Sequence, residues 1–252
     1  MFDLTGRVAV VTGASFGIGR SAALLLARHG ASVALCARSS DQLAALQVDI
    51  AAAGGRALVA TMDVGREDSV KEAIALAASR LGTVDLLINN AGVSVPTSLL
   101  ETTTEDWDRV LDTNLRGAWH CAREVARNLI AAGRPGVIVN IASILGSTTQ
   151  KGVGPYAASK AGLLQLTRVM AAEWARYDIR VNALAPGYIA TDMTDDFLAS
   201  DRGKKLVAAI PQRRIGRVDE LAAPLLLLAS AASSYMTGST LVVDGGMALG
   251  QQ

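Results

Sequence analysis

The chain has 252 residues, half of them apolar and only 4% aromatic, and carries a formal net charge of +1. That length buries one sizeable core, here mostly Ala, Leu and Val, and the charge balance offers no field for nucleic acid or an anionic membrane. Two cysteines, Cys36 and Cys121, make neither a disulfide framework nor a metal-ligand cluster and read as buried thiols in a reducing compartment.

The opening "MFDLTGRVAVVTG" enters a strand at once and lacks the charged-then-apolar layout of a signal peptide. "GIGRSAALLLARHG" follows as a helix stopped by Gly30, and "SVALCA" with "DQLAALQVDIAAAGG" repeats that order. "RALVATMDV" then precedes the helical "DSVKEAIALAASRLG", and "VDLLINNAG" is the fourth strand. The stretch from Thr102 to Gly133 reads as one long helix, with Thr102 and Glu105 as its capping box. "GVIVNIAS" is strand five and leads into a helix containing Tyr156 and Lys160; "IRVNALAPG" and "STLVVDGG" are strands six and seven. Between 188 and 217 the sequence is polar and irregular, an insertion placed to close over a ligand. The uncharged run Leu221 to Val243 is long enough to span a bilayer, but Pro224, Gly238 and its Ser and Thr residues fit a buried helix followed by a buried strand. The expectation is a soluble, cytoplasmic protein.

Strands that are continuous apolar runs are covered by helices on both faces. Their alternation with helices over short links predicts an α/β fold, a single domain with a doubly wound, parallel, seven-stranded sheet. Ligands of such sheets bind at the carboxyl ends of the strands.

Three features fall at those ends. "TGASFGIG" supplies Gly13, Gly17 and Gly19, with Ser15 and Ile18, between the first strand and the first helix. The spacing is not the GxGxxG fingerprint, but glycines there let backbone approach a pyrophosphate at a helix N-terminus; the alternative is a tight turn without a ligand. Tyr156 and Lys160 stand one helical turn apart, which places a phenol beside an ammonium. A tyrosine of ordinary pKa, about 10, exchanges protons poorly at neutral pH, and an adjacent cation favours its phenolate.

"TGASFGIG", "NNAG" (Asn89 to Gly92), Ser143 after strand five, "YAASK", Pro186–Gly187 and "LVVDGG" occur in the order and spacing of the short-chain dehydrogenase/reductase family, and the chain resembles that family over nearly its whole length. The resemblance implies a Rossmann-type, nicotinamide-dependent oxidoreductase that needs no metal. In it Ser143, Tyr156 and Lys160 act together, and Asn114 matches the fourth catalytic position. Tyr156 would be general acid in reduction and general base in oxidation. Lys160, together with the positive nicotinamide of the oxidised complex, would lower the tyrosine pKa; Lys160 would also hold the nicotinamide ribose, and Ser143 would donate to the developing oxyanion. Asn114 would sit in a local helix distortion and hold a water linking Lys160 to solvent.

For the cofactor, the resemblance implies that Asp63 meets the adenine amino group with Val64 nearby. Asn90, Ala91 and Gly92 would pack adenosine and ribose, Pro186 and Gly187 would form a turn beneath the nicotinamide, and Ile189 and Thr191 would bond its carboxamide. An ordinary helix N-cap is the other reading of Asp63. Strand two ends in Ala37, Arg38 and Ser39, where an acidic residue would bind the ribose hydroxyls of NAD. Arg38 can pair with a 2′-phosphate, with Ser15 and Ser39 adding hydrogen bonds, so NADP(H) is expected and NAD(H) is the alternative. Phe16 departs from the basic residue carried by many NADP-preferring relatives, and Arg38 also reads as an exposed loop arginine.

Overall likeness is to bacterial 3-oxoacyl-carrier-protein reductases, with sugar and polyol dehydrogenases of the family equally similar. The expected substrate is a ketone and its secondary alcohol, 3-oxoacyl or small and neutral; a nucleotide-binding sensor without turnover is the rival, against which the intact Ser143, Tyr156 and Lys160 argue. Relatives are commonly homotetramers joined through the long helices after strands four and five and through the C-terminal region. His29 reads as a helix C-terminal residue, and His120 has no second histidine near it in sequence to make a metal site. Trp107 and Trp119 read as helix packing. Arg213, Arg214 and Arg217 are equally candidates for an anionic substrate, a solvated loop or a subunit contact.

Overall fold

The computed structural model describes residues 2–191 and 201–251. Seven parallel strands, β1 (Val8–Thr12), β2 (Ser32–Ala37), β3 (Arg56–Thr61), β4 (Leu86–Asn89), β5 (Gly136–Ile141), β6 (Ile179–Pro186) and β7 (Thr240–Val243), lie in the order β3-β2-β1-β4-β5-β6-β7. The order reverses between β1 and β4, the switch point at which sheets of this kind bind their ligands.

Each central strand sends alternate residues into two cores. Ala9 and Val11 of β1 face a cluster with Leu26, Leu46 and Leu225, while Val8 and Val10 face another with Ile74, Val125 and Met170. The first core is covered by α1 (Gly17–Arg28), α2 (Ser40–Ala52) and α8 (Ala222–Ala229). The second is covered by α3 (Glu67–Leu81), α5 (Gly117–Ala132) and α6 (Gly154–Trp174). At the far end of the sheet Asp85 is buried, accepts from the Val8 amide at 3.0 Å and meets Arg7 Nε at 2.9 Å. This ties the entrance of β4 to β1.

Several expectations need correction. The long helix is α4 (Thr104–Leu111) and α5 joined by a π-helical turn, Asp112–Arg116. Its cap is Thr103, whose hydroxyl accepts from the Asp106 amide at 3.1 Å; the Thr102–Glu105 box is one residue out of phase. The 188–217 insertion is not irregular throughout, because Asp201–Ala209 forms α7; residues 192–200 of that expected substrate segment lie outside the described residues. β7 has a partner on one side only and is half-buried, with Val242 46% exposed. Among the described residues no helix is long and apolar enough to cross a membrane.

Candidate functional site

The turn after β1 requires glycine. Gly13 has φ +64°, and a Cβ on Gly19 would lie 2.2 Å from the Gly13 carbonyl oxygen and 2.4 Å from Asn90 Nδ2. Such contacts have no remedy but the absence of a side chain. The turn is sewn to the one after β4. Thr12 Oγ1 accepts from the amides of Asn90 and Ala91, each at 3.0 Å, while Asn90 Nδ2 donates to the carbonyls of Thr12 at 3.0 Å and Gly13 at 3.1 Å. The cap position of α1, Phe16, makes no side-chain cap bond, and Ser15 and Ile18 are half-buried beside its first turn. A cradle stripped of Cβ atoms at a helix start fits the pyrophosphate of a dinucleotide.

The adenosine side is loosely tied. Arg38 and Ser39 are exposed at the end of β2, and Arg38 enters no ion pair among the described residues. Ser39 occupies the cap position of α2 without a side-chain cap bond. Asp63 is not the cap of α3, whose cap position is Arg66. Instead its Oδ1 accepts from the Gly65 amide at 3.0 Å, and its own amide donates to Ser69 Oγ at 3.0 Å. Val64 is buried, and its carbonyl faces His120 Nδ1 at 3.2 Å.

The other side is closely bonded. Ser143 follows β5, is buried, and lies close enough to the half-buried Tyr156 phenol to favour its ionised form. The Ser143 oxygen also accepts from the Leu145 amide at 3.1 Å. Lys160, one turn along α6, is buried with Nζ 5.6 Å from the Tyr156 ring centre and donating to the Ile141 carbonyl at 2.7 Å. Burial pushes its ammonium down to about 8. Burial also raises the Tyr156 pKa, opposed by Ser143. In the chain alone the desolvation of the phenol outweighs the help from Ser143, while the Lys160 ammonium donates to the Ile141 carbonyl.

Asn114 lies in the π-turn and is fully buried. Its Oδ1 accepts from the Val93 amide at 2.8 Å; its Nδ2 donates to the Val93 carbonyl at 2.9 Å and to Ser159 Oγ at 3.0 Å. A Cβ on Gly92 would stand 3.3 Å from Asn114 Oδ1 and 3.6 Å from Lys160 Nζ, so both groups border one small space.

After β6, the Gly187 amide donates to the Val243 carbonyl at 2.9 Å, with Pro186 paired to Val243 and Ile189 buried beyond them. Thr191 returns to the first turn, since a Cβ on Gly17 would lie 3.3 Å from its Cγ2. The arginines of the insertion have internal partners. Arg214 holds Glu220 through two hydrogen bonds, which lower that carboxyl to about 2, and Arg217 meets Asp219 at 3.0 Å. Arg213 donates to the Ala208 carbonyl.

Similarity to known proteins agrees with this geometry. A family model described as enoyl-(acyl carrier protein) reductase matches residues 13–248. A gluconate 5-dehydrogenase of Gluconobacter oxydans is 40% identical over 248 residues, covering 98% of this chain and 96% of its own. A 3-oxoacyl-(acyl-carrier-protein) reductase of Staphylococcus epidermidis is 41% identical over 242 residues, 96% of this chain and 98% of its own. The chain belongs to the short-chain dehydrogenase/reductase family. As such it is an NAD(P)-dependent oxidoreductase acting on CH–OH and C=O groups. Among solved members, a gluconate 5-dehydrogenase of Burkholderia cenocepacia in complex with NADP and tartrate superposes with a TM-score of 0.93 at 38% identity, over 98% of this chain and 96% of that one.

Two residues of this short-chain dehydrogenase/reductase escaped the sequence reading. Thr12 joins the two dinucleotide-side turns, and its place immediately before Gly13 was the available signal. Ser159 links Asn114 to the Tyr156 carbonyl, to which it donates at 2.7 Å; it lies inside "YAASK" and reads there as a small spacer.

Proposed function

We propose that this short-chain dehydrogenase/reductase prefers NADP(H) and interconverts a neutral ketone and its secondary alcohol, with Tyr156 moving the proton. The observation that carries this is the half-buried phenol of Tyr156, one turn from the buried ammonium of Lys160, whose Nζ lies 5.6 Å from the phenol ring centre, with the buried Ser143 close enough to influence its ionisation. When bound, the nicotinamide gives hydride to the carbonyl carbon or takes it from the alcohol.

The chain's own residues supply the rest. Ser143 donates to the substrate oxygen as charge develops there, and Tyr156 delivers a proton to that same oxygen in reduction. In oxidation Tyr156 takes the proton back. A phenol whose pKa is held up by burial stays protonated at neutral pH, which suits the reductive direction. Asn114 and Lys160 border the space over Gly92, where a water would pass protons from solvent to Tyr156. Gly13, Ser15, Gly17, Ile18 and Gly19 would hold the pyrophosphate, Asp63 and Val64 the adenine, and Asn90, Ala91 and Gly92 the adenosine side. Lys160 would reach the nicotinamide ribose, with Pro186, Gly187, Ile189 and Thr191 around the carboxamide.

NADP(H) preference rests on Arg38. It is exposed, without an acidic partner among the described residues, and no carboxylate replaces it at the end of β2 to receive a ribose diol. A neutral substrate is favoured because Arg214 and Arg217 are already paired with Glu220 and Asp219. The segment 188–217 would close over that substrate. A homotetramer is supported by an open groove of about 580 Å³ between the π-turn region and α6, where Leu115, Trp119, Leu166 and Val169 present apolar surface.

The test follows NADPH absorbance with a panel of ketones. Tyr156→Phe is expected to lower turnover by about 10³-fold or more with NADPH affinity within about twofold. Turnover retained in that variant would refute the proton-transfer role.

A further inference from the structure

The face of the sheet that looks onto the second core carries two amides among its apolar residues. Asn89 ends β4 and Asn140 lies opposite it in β5, on the same face as Leu87 and Ile138. Both are buried. Asn89 Nδ2 donates to Asn140 Oδ1 at 2.9 Å and to the Ala118 carbonyl of α5 at 3.0 Å. Asn140 Nδ2 donates in turn to Thr167 Oγ1 of α6 at 2.8 Å, and that buried hydroxyl donates to the Leu163 carbonyl at 2.7 Å. One unbroken line of bonds thus crosses from α5 through two strands to α6.

Both ends of the line meet the helices that carry the reacting groups. Ala118 is the second residue after the π-turn that holds Asn114. Leu163 and Thr167 follow Lys160 by three and seven residues, so all three stand one above another on the buried face of α6. The strand end is shared as well. Asn140 immediately precedes Ile141, whose carbonyl receives the Lys160 ammonium at 2.7 Å. α6 is therefore fixed to β5 twice, by Lys160 near its start and by Thr167 two turns further on.

We infer that Asn89, Asn140 and Thr167 are positioning residues for proton transfer: their line of bonds fixes the rotation and height of α6 against β5, and with them the places of Tyr156 and Lys160. This rests on the carbonyl–alcohol reading above. Stability is a poor reason for such a line. Asn89 Oδ1 is buried with no hydrogen-bond partner among the described residues. A buried acceptor left alone costs free energy that apolar groups of the same shape do not. What the amides offer is direction. Apolar side chains let packed elements shift and repack, whereas a buried polar network specifies one arrangement. A proton donor needs that, because a small displacement from the reacting oxygen costs rate.

The experiment uses the purified full-length enzyme, NADPH and the ketone that wild type turns over fastest, with kcat expressed per NADPH-binding site so that unfolded protein does not count. The triple variant Asn89→Leu, Asn140→Leu, Thr167→Val replaces every member of the line with an apolar group of similar shape. It is expected to melt within about 4 °C of wild type. Its kcat is expected to fall by about tenfold or more, with KM and the NADPH Kd within about twofold of wild type. Thr167→Val alone is expected to lower kcat, and Thr167→Ser, which keeps the hydroxyl, to retain it. A triple variant that folds and keeps the wild-type kcat would overturn the inference and leave the line a structural contact. Equal kcat in Thr167→Val and Thr167→Ser, measured below both melting temperatures, would overturn it too, and that pair decides if the triple variant does not fold. Turnover of no ketone by wild type with either cofactor would instead overturn the carbonyl-reductase reading itself.

Discussion

The two sides of the crevice are built on opposite plans. On the β4–β5–α6 side the polar groups are buried and tied to the protein: Asn114 to Val93 and Ser159, Lys160 to Ile141, Ser143 to Leu145. On the β2 side Arg38 and Ser39 stand in solvent with neither ion pair nor cap bond among the described residues. The first plan fixes positions before any ligand arrives, which suits groups that must meet a reacting atom within tenths of an ångström. The second leaves hydrogen-bonding capacity for the ligand itself, which suits selection between two cofactors. Substitutions on the first side should therefore cost rate and stability together, and on the second should change preference alone.

The strongest break of that contrast is Lys160→Met, for which we expect kcat to fall by about 10²–10³-fold. Its stability effect has a defined sign. Lys160 has its pKa lowered from the ordinary 10.5 to about 8 in the fold, so between those values the unfolded chain binds more protons and wild type gains stability as pH rises. Below pH 8 the full cost of burying the ammonium is present. Urea midpoints at pH 7 and pH 10 should thus show wild type gaining on Lys160→Met at the higher pH; an unchanging gap would mean the ammonium is not destabilised by burial.

Asn114→Ala removes three hydrogen bonds at the π-turn and is expected to cost about 10–100-fold in kcat and about 1–3 kcal/mol in stability, read by steady-state rates and denaturant unfolding. Arg38→Asp sharpens the contrast from the other side. It is expected to shift the NADPH-to-NADH ratio of kcat/KM by about tenfold or more towards NADH, from the loss of a charge-assisted bond and the gain of repulsion, with thermal stability unchanged. A constant ratio would make Arg38 a loop residue. The smallest effect is Thr103→Ala, which deletes the α4 cap bond and should lower stability by about 1 kcal/mol without altering turnover.

The sheet was readable because its signals are local and repeated. "VAVVT" and "GVIVNI" are continuous apolar runs because both faces of β1 and β5 are buried, and the intervening helices announce themselves by period and glycine stops. The site's motifs were readable for a different reason: glycine at 13 and 19 is demanded by backbone approach, so its spacing is visible without knowing the fold. What escaped depends on contacts distant in sequence. Thr12 acquires its meaning only when Asn90 arrives 78 residues later, and Ser159 only when Asn114 does. The cap at Thr103 was missed by one position because "TTT" offers three equivalent hydroxyls and tertiary packing selects among them. β7 looked buried because its composition is apolar, but a strand with one neighbour and little cover stays half open. Spacing reveals that a cation stands near Tyr156 but not that its ammonium donates to the Ile141 carbonyl.

The π-turn has a consequence for how α5 is seated. It sets the rotational phase between α4 and α5, so excising any residue from 112–116 would swing α5 by about 100° around its axis. Cys121, Val125 and Leu129, now packed in the core, would turn away from the sheet. The kink that carries Asn114 to Val93 and the alignment that beds α5 on the strands are one irregularity, so an indel there cannot spare either.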